Sequence, residues 1–138
     1  MTSSLVGSEM CIRDRYFTGQ KKVDELPAYI TAYDVCINPQ MVNDITDGNY
    51  PLKIDEYLAM GKPTVATSTH TMRHIFANHT HLATTPEEWL SAIDRAVTEA
   101  DDKELAKQRI AFAETHSWGH SVKKIYDIID NFLKEKAT

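Results

Sequence analysis

Cysteine is scarce in this sequence. Only Cys11 and Cys36 are present, and no spacing suggests a disulfide framework or a zinc site, so the chain suits a reducing compartment. Long apolar runs are missing too. None approaches the roughly 18 residues that a membrane span needs, and no signal-peptide pattern is visible. The expected location is cytoplasmic, with peripheral association with a membrane left open. Basic excess is lacking: Lys and Arg number 15 against 20 Asp and Glu, for a net charge of −5. With both signs interspersed and no basic stripe to neutralise phosphate backbones, nucleic acid is excluded as a partner. Five glycines and five prolines leave no low-complexity tract, and neither a P-loop nor a nucleophile motif occurs.

What is present is ordinary globular composition: 138 residues, 42% hydrophobic and 25% charged, enough for one domain with one core. The first fifteen residues stand apart. Thr2 to Arg15 shows no helical or strand period, and Ser4–Arg15 (SLVGSEMCIRDR) resembles a peptide that recurs at the ends of unrelated translations, where it looks like adapter or vector sequence. The alternative is a natural, loosely ordered arm. Residues 1–15 are therefore set aside as a non-native segment, and 16–138 are read as the domain.

From Tyr16 the pattern is regular. Tyr16-Phe17-Thr18 is a short strand signal stopped by Gly19. Asp24 can cap a helix to about Tyr33, with Pro27 in its first turn. Val35 to Asn38 is an apolar strand closed by Pro39. After a polar loop, Gln40 to Tyr50, Pro51 opens the helix PLKIDEYLAM, which Gly61 stops. Pro63 to Thr67 is a second buried strand. A helix over 71–77, a weak strand Leu82–Thr84 and three closing helices follow: Pro86 to Ala100, Lys103 to His116, and one from Ser117 that Ser117 itself can cap. Apolar strands alternating with helices predict an α/β fold, a parallel sheet covered on both faces.

In such sheets ligands bind beyond the C-terminal ends of the strands, which singles out the loop after Thr18 and the start of the Pro51 helix. The free N–H groups near Tyr50 to Lys53 and the helix dipole make an anion site. Lys53 places a cation where the dipole favours an acid, which suits a phosphate. The bland reading is an exposed lysine paired with Glu56, a contact worth ~0.2–0.5 kcal/mol. Glu56 shares a face with Leu52, Ala59 and Met60, so it is expected partly among apolar neighbours, where a carboxylate needs donors. A ribose diol would supply them, and an ion pair with Lys53 or plain exposure would serve equally. His70 and His74 have metal-ligand spacing without a third ligand, so no metal site is assigned. Trp89 and Trp118 read as packing anchors.

The segment NYPLKIDEYLAMGKPTVAT, taken with YFTG, ELPAYI, YDVCINP and HSW in that order over about Tyr16 to Phe132, resembles the donor-binding C-terminal domain of family 4 glycosyltransferases of the two-Rossmann (GT-B) architecture. The resemblance implies a transferase that moves a sugar from a nucleotide-diphosphate donor to a glycan or lipid-linked acceptor, with retention and without a metal or other cofactor. It implies a role in polysaccharide biosynthesis and an acceptor domain lying upstream of this segment. It assigns Glu56 to the donor ribose. It turns Asn49, Tyr50, Pro51, Leu52 and Lys53 toward the diphosphate and sugar, places the backbone of Gln20, Lys21, Lys22 and Val23 beside the base, and includes Gly19 in the substrate-binding loop. The Ala59–Pro63 turn is structural. No residue of this segment is assigned as catalytic. Where the family often carries a first glutamate, eight residues before the second, this chain has Gly48 with Asp47 beside it. The family's six-stranded sheet, in the order 3-2-1-4-5-6, implies that Tyr16–Thr18, Val35–Asn38, Pro63–Thr67 and Leu82–Thr84 are strands three to six. A chain without the first two is expected to be a partial Rossmann-like sheet, inactive alone. A nucleotide-sugar epimerase of the same architecture is the alternative within this class; a non-catalytic α/β interaction or signalling module is the alternative outside it.

Overall fold

In the computed structural model, residues 15–137 are described. The expectation of a foreign N-terminal segment, and Cys11 with it, lies outside them except for Arg15. The described chain is α/β, with the element order α1 (Leu26–Thr31), β1 (Cys36–Asn38), α2 (Leu52–Ala59), β2 (Thr64–Thr67), a π-helical turn (Met72–Phe76), β3 (His81–Ala83), α3 (Pro86–Thr98), α4 (Lys103–Glu114) and α5 (Trp118–Ala137). The three strands form one parallel sheet in the order β1-β2-β3. Cys36 pairs with Thr64 and Asn38 with Ala66. On the other side Val65 pairs with His81 and Thr67 with Ala83.

Strand periodicity explains the two cores. β2 is buried along its whole length, and its successive side chains point to opposite faces. Ala66 joins Ile54, Leu58, Met72, Phe76 and Ala113 on one face. Val65 joins Ala83, Ala92 and Ala96 of α3 on the other. A strand covered on both faces is the reason this segment reads as a continuous apolar run.

Helix ends follow their local chemistry. Thr85 and Glu88 form a capping box at α3, with Pro86 in the first turn. The backbone N–H groups of Thr84 and Thr85 hold the Glu88 carboxyl below the usual carboxylate range. Asp102 caps α4 through Glu104 and Leu105 N–H groups at 2.9 and 3.0 Å. Ser117 accepts from His120 N–H at the start of α5, as expected. α2 ends in a Schellman motif: Lys62 N–H donates to Tyr57 O at 3.1 Å and Gly61 N–H to Leu58 O at 2.8 Å. Gly61 has φ +72°, and a Cβ there would stand 3.1 Å from the Ala106 Cβ of α4. Both demands select glycine.

Three expectations fail. Tyr16–Thr18 is not a strand: Tyr16 and Phe17 are 90% and 80% exposed, and β2 is the only strand beside β1 among the described residues. A three-residue β signal needs a neighbouring edge to form, and this one has no pairing there. Asp24 does not cap α1, which begins one residue later with Glu25 at its N-cap and no side-chain bond. The carboxylate that turns back is Glu25, accepting from Lys22 N–H at 2.9 Å. The helix expected over 71–77 is a π-helical turn. Among the described residues no helix is long and apolar enough to cross a membrane.

Candidate functional site

α2 organises the site. It follows a polar loop held at both ends. Gln40 N–H donates to Thr67 Oγ1 at 2.8 Å, which ties the loop to the end of β2. Asp47 Oδ1 accepts from His70 N–H at 2.7 Å, and the Asp47 carbonyl accepts from Thr71 N–H at 3.3 Å. The carboxylate beside Gly48 is thus spent on backbone. Pro51 occupies the N-cap of α2 with no side-chain cap, leaving its first N–H groups open.

A groove of about 420 Å³ runs between α1, α2 and the free edge of β1. Its apolar lining includes Leu26, Ile30, Val35 and Ile37. Gly19, Lys21, Lys53 and Glu56 line it as well, with Thr18 and Tyr57. Four of the residues singled out from the sequence therefore meet in one place. The groove follows the β1 edge at Val35 to Ile37, and does not lie wholly beyond the strand's C-terminal end. Of the remaining candidates, Tyr50 and Leu52 line a separate cleft with Asp55, Ile75, His116 and Trp118. Asn49, Pro51, Gln20, Lys22 and Val23 line neither.

Lys53 and Glu56 are both exposed. The expectation that Glu56 sits among apolar neighbours is wrong, because the buried side of α2 is Ile54 and Leu58, and Leu52 is itself exposed. Helical spacing alone could not tell which of two adjacent stripes meets the sheet. Ion pairs join His81 and Arg109 to Glu99, Lys107 to Glu104, and His116 to Asp55, and among the described residues none joins Lys53 to Glu56.

Burial dominates the acid–base behaviour nearby. It pushes the Cys36 thiol up to about 11, with the Lys62 charge opposing. Burial also raises the Tyr57 hydroxyl, helped by the charges of Cys36 and Glu56. The Tyr50 hydroxyl is raised by burial first and by its bond to Asp55 second. His70 and His74 face each other with ring centroids 4.2 Å apart. Among the described residues no group of three His, Cys, Asp or Glu side chains is placed to hold a metal.

The residues that sequence reading missed are Asp55 and His116. Tyr50 Oη donates to Asp55 Oδ2 at 2.6 Å, and His116 Nδ1 stands 2.8 Å from Asp55 Oδ1. An acid in a helix's first turn is a weak signal, and no spacing rule connects it to a histidine 61 positions away.

The family model described as "Glycosyl transferases group 1" matches residues 9–99. The chain is 28% identical over 105 residues to a protein of Bacillus subtilis (strain 168) named "Putative teichuronic acid biosynthesis glycosyltransferase TuaH", covering 74% of this chain and 26% of that one. The chain thus spans about a quarter of the length of the curated relative it matches. No solved structure gives a significant match.

Proposed function

The chain belongs to the group 1 glycosyl transferases, and from that premise we propose that it is the donor half of such an enzyme, binding a nucleotide-diphosphate sugar for transfer with retention. The observation that carries this reading is the meeting of Lys53 and Glu56 with Gly19 and Lys21 around one groove. Lys53 stands in the first turn of a helix whose N-cap offers no side-chain acceptor, so its charge and the open N–H groups are available to a diphosphate. Glu56 is one turn on, free of an ion pair, and offers a bidentate acceptor to a ribose diol.

In this reading the chain's contribution to catalysis is electrostatic. The N–H groups of α2 and Lys53 stabilise the nucleoside diphosphate as it leaves. Closure of an acceptor domain over the groove excludes water. That domain lies outside this segment and brings a glycan or lipid-linked acceptor. The relative's printed name speaks of teichuronic acid biosynthesis, which supports a surface polysaccharide as the product, made on the cytoplasmic side.

The test is a pair of variants in the intact enzyme. Glu56→Ala is expected to lose on the order of 2 kcal/mol of transition-state binding, and an unchanged kcat/KM removes it from the ribose. Lys53→Ala is expected to weaken a nucleoside diphosphate far more than its nucleoside, with added salt narrowing the gap between variant and wild type. Equal losses for both ligands make Lys53 structural.

A further inference from the structure

The donor reading uses the side of α2 that faces the groove. At about 100° per residue, Asp55 lies roughly opposite Lys53 on α2, and it lines the separate cleft. Both of its oxygens are engaged: Oδ2 accepts from Tyr50 Oη at 2.6 Å, and Oδ1 is 2.8 Å from His116 Nδ1. Tyr50 stands two residues before α2, and His116 stands between α4 and α5. One carboxylate therefore fastens three separate pieces of chain.

The histidine is held by more than that bond. Its ring meets Phe112 edge-on at 4.6 Å between centroids, Phe76 at 5.7 Å and Tyr50 at 6.4 Å. Tyr50 rests in turn on Phe76 at 5.5 Å. Phe76 is fully buried, so the clasp is anchored to the core. With an Nδ1–H the imidazole donates to Asp55 whether neutral or charged.

The clasp falls where α2 otherwise lacks support. Pro51 gives the helix no side-chain cap, and the preceding loop is fastened to its neighbours at Asp47. Between Asp47 and the buried Ile54, the first turn is tied through Tyr50, by its contact with Phe76 and its bond to the Asp55–His116 pair. Lys53 belongs to that turn.

We infer that Asp55 is a positioning residue: by binding Tyr50 and His116 together, it aims the first turn of α2, with Lys53 and its open N–H groups, at the diphosphate. This rests on the donor reading above. The test is titration of the intact enzyme with UDP, GDP and ADP, each beside its nucleoside, carrying forward the pair that wild type binds. Measured with it are Lys53→Ala, His116→Ala, His116→Asn and the isosteric Asp55→Asn. Loss of one hydrogen bond is expected to weaken the diphosphate about fivefold in His116→Ala, with the nucleoside unchanged. Asp55→Asn is expected to match it. His116→Asn, whose amide N–H can stand where Nδ1–H stands, is expected to recover most of the loss. Wild-type diphosphate affinity in His116→Ala, beside a loss in Lys53→Ala, overturns the positioning role and leaves the donor reading intact. An equal loss of nucleoside and diphosphate in His116→Ala also overturns it, because a general loosening of the fold acts on both. If Lys53→Ala binds diphosphate as wild type does, or no diphosphate binds, the donor reading falls and the positioning role falls with it.

Discussion

Arg109 is only 5% exposed, and its guanidinium pairs with Glu99, which also receives His81 Nε2 at 3.0 Å. A longer contact, 3.4 Å, runs from Arg109 to the Gly61 carbonyl. Glu99→Ala strands a buried cation. Removing one partner of a buried pair costs about 3–5 kcal/mol. The Glu99 side chain is 24% exposed, so water reaches the pair and the lower end, about 3 kcal/mol, is expected; the His81 contact adds no more than about 1 kcal/mol. Arg109→Met removes the charge together with its need for a partner and keeps an apolar stem, for about 1 kcal/mol. The double variant should then resemble Arg109→Met alone, far below the sum of the singles. Urea unfolding of the intact protein, with amide exchange in α4 as the local readout, measures all three. Additive losses, or a Glu99→Ala within about 0.5 kcal/mol of wild type, refute the reasoning that an unpartnered guanidinium is what costs.

Gly61→Ala combines a left-handed φ with a Cβ at 3.1 Å from Ala106; it should destabilise by about 2 kcal/mol, and Ala106→Gly in the same chain should relieve part of that in the same unfolding assay. The Cys36 thiol, raised by burial, contributes stability that is fully present below pH 9 and is lost as pH climbs toward about 11. Alkylation of its peptide at pH 8, read by mass spectrometry, should therefore be much slower in native than in urea-unfolded protein. Among the described residues the outer edge of β1 is unpaired, with Ile37 49% exposed. Trp118, Ile125, Tyr126, Ile129 and Phe132 of α5 are exposed as well. Taken alone, this chain should purify as oligomers or a molten, dye-binding species without transferase activity. A sharp cooperative melt from a monomer that binds nucleotide tightly would show this expectation wrong.

Much of the fold was legible because local chemistry and burial agreed. The run Pro63–Thr67 read as a buried strand between turn residues, and β2 is buried along Thr64–Thr67 as a doubly covered parallel strand is. Gly61 had to end α2, because a left-handed residue was required there. The order of blocks around EYLAMGKPTVAT carried the family, which the match over residues 9–99 bears out. Three things were decided only in three dimensions. Tyr16–Thr18 has strand-forming residues but pairs with no strand of the described sheet, and pairing is a property of two segments. Glu56 lay on a plausible apolar stripe, yet the sheet took the neighbouring one through Ile54 and Leu58, since a helix's rotation is fixed by what it packs on. Asp55 meets His116 because α4 packs back against the end of α2 at the Gly61–Ala106 contact. Local sequence determines which elements can form and where they stop. Which side chains meet across 61 positions depends on helix packing, and no local period encodes that.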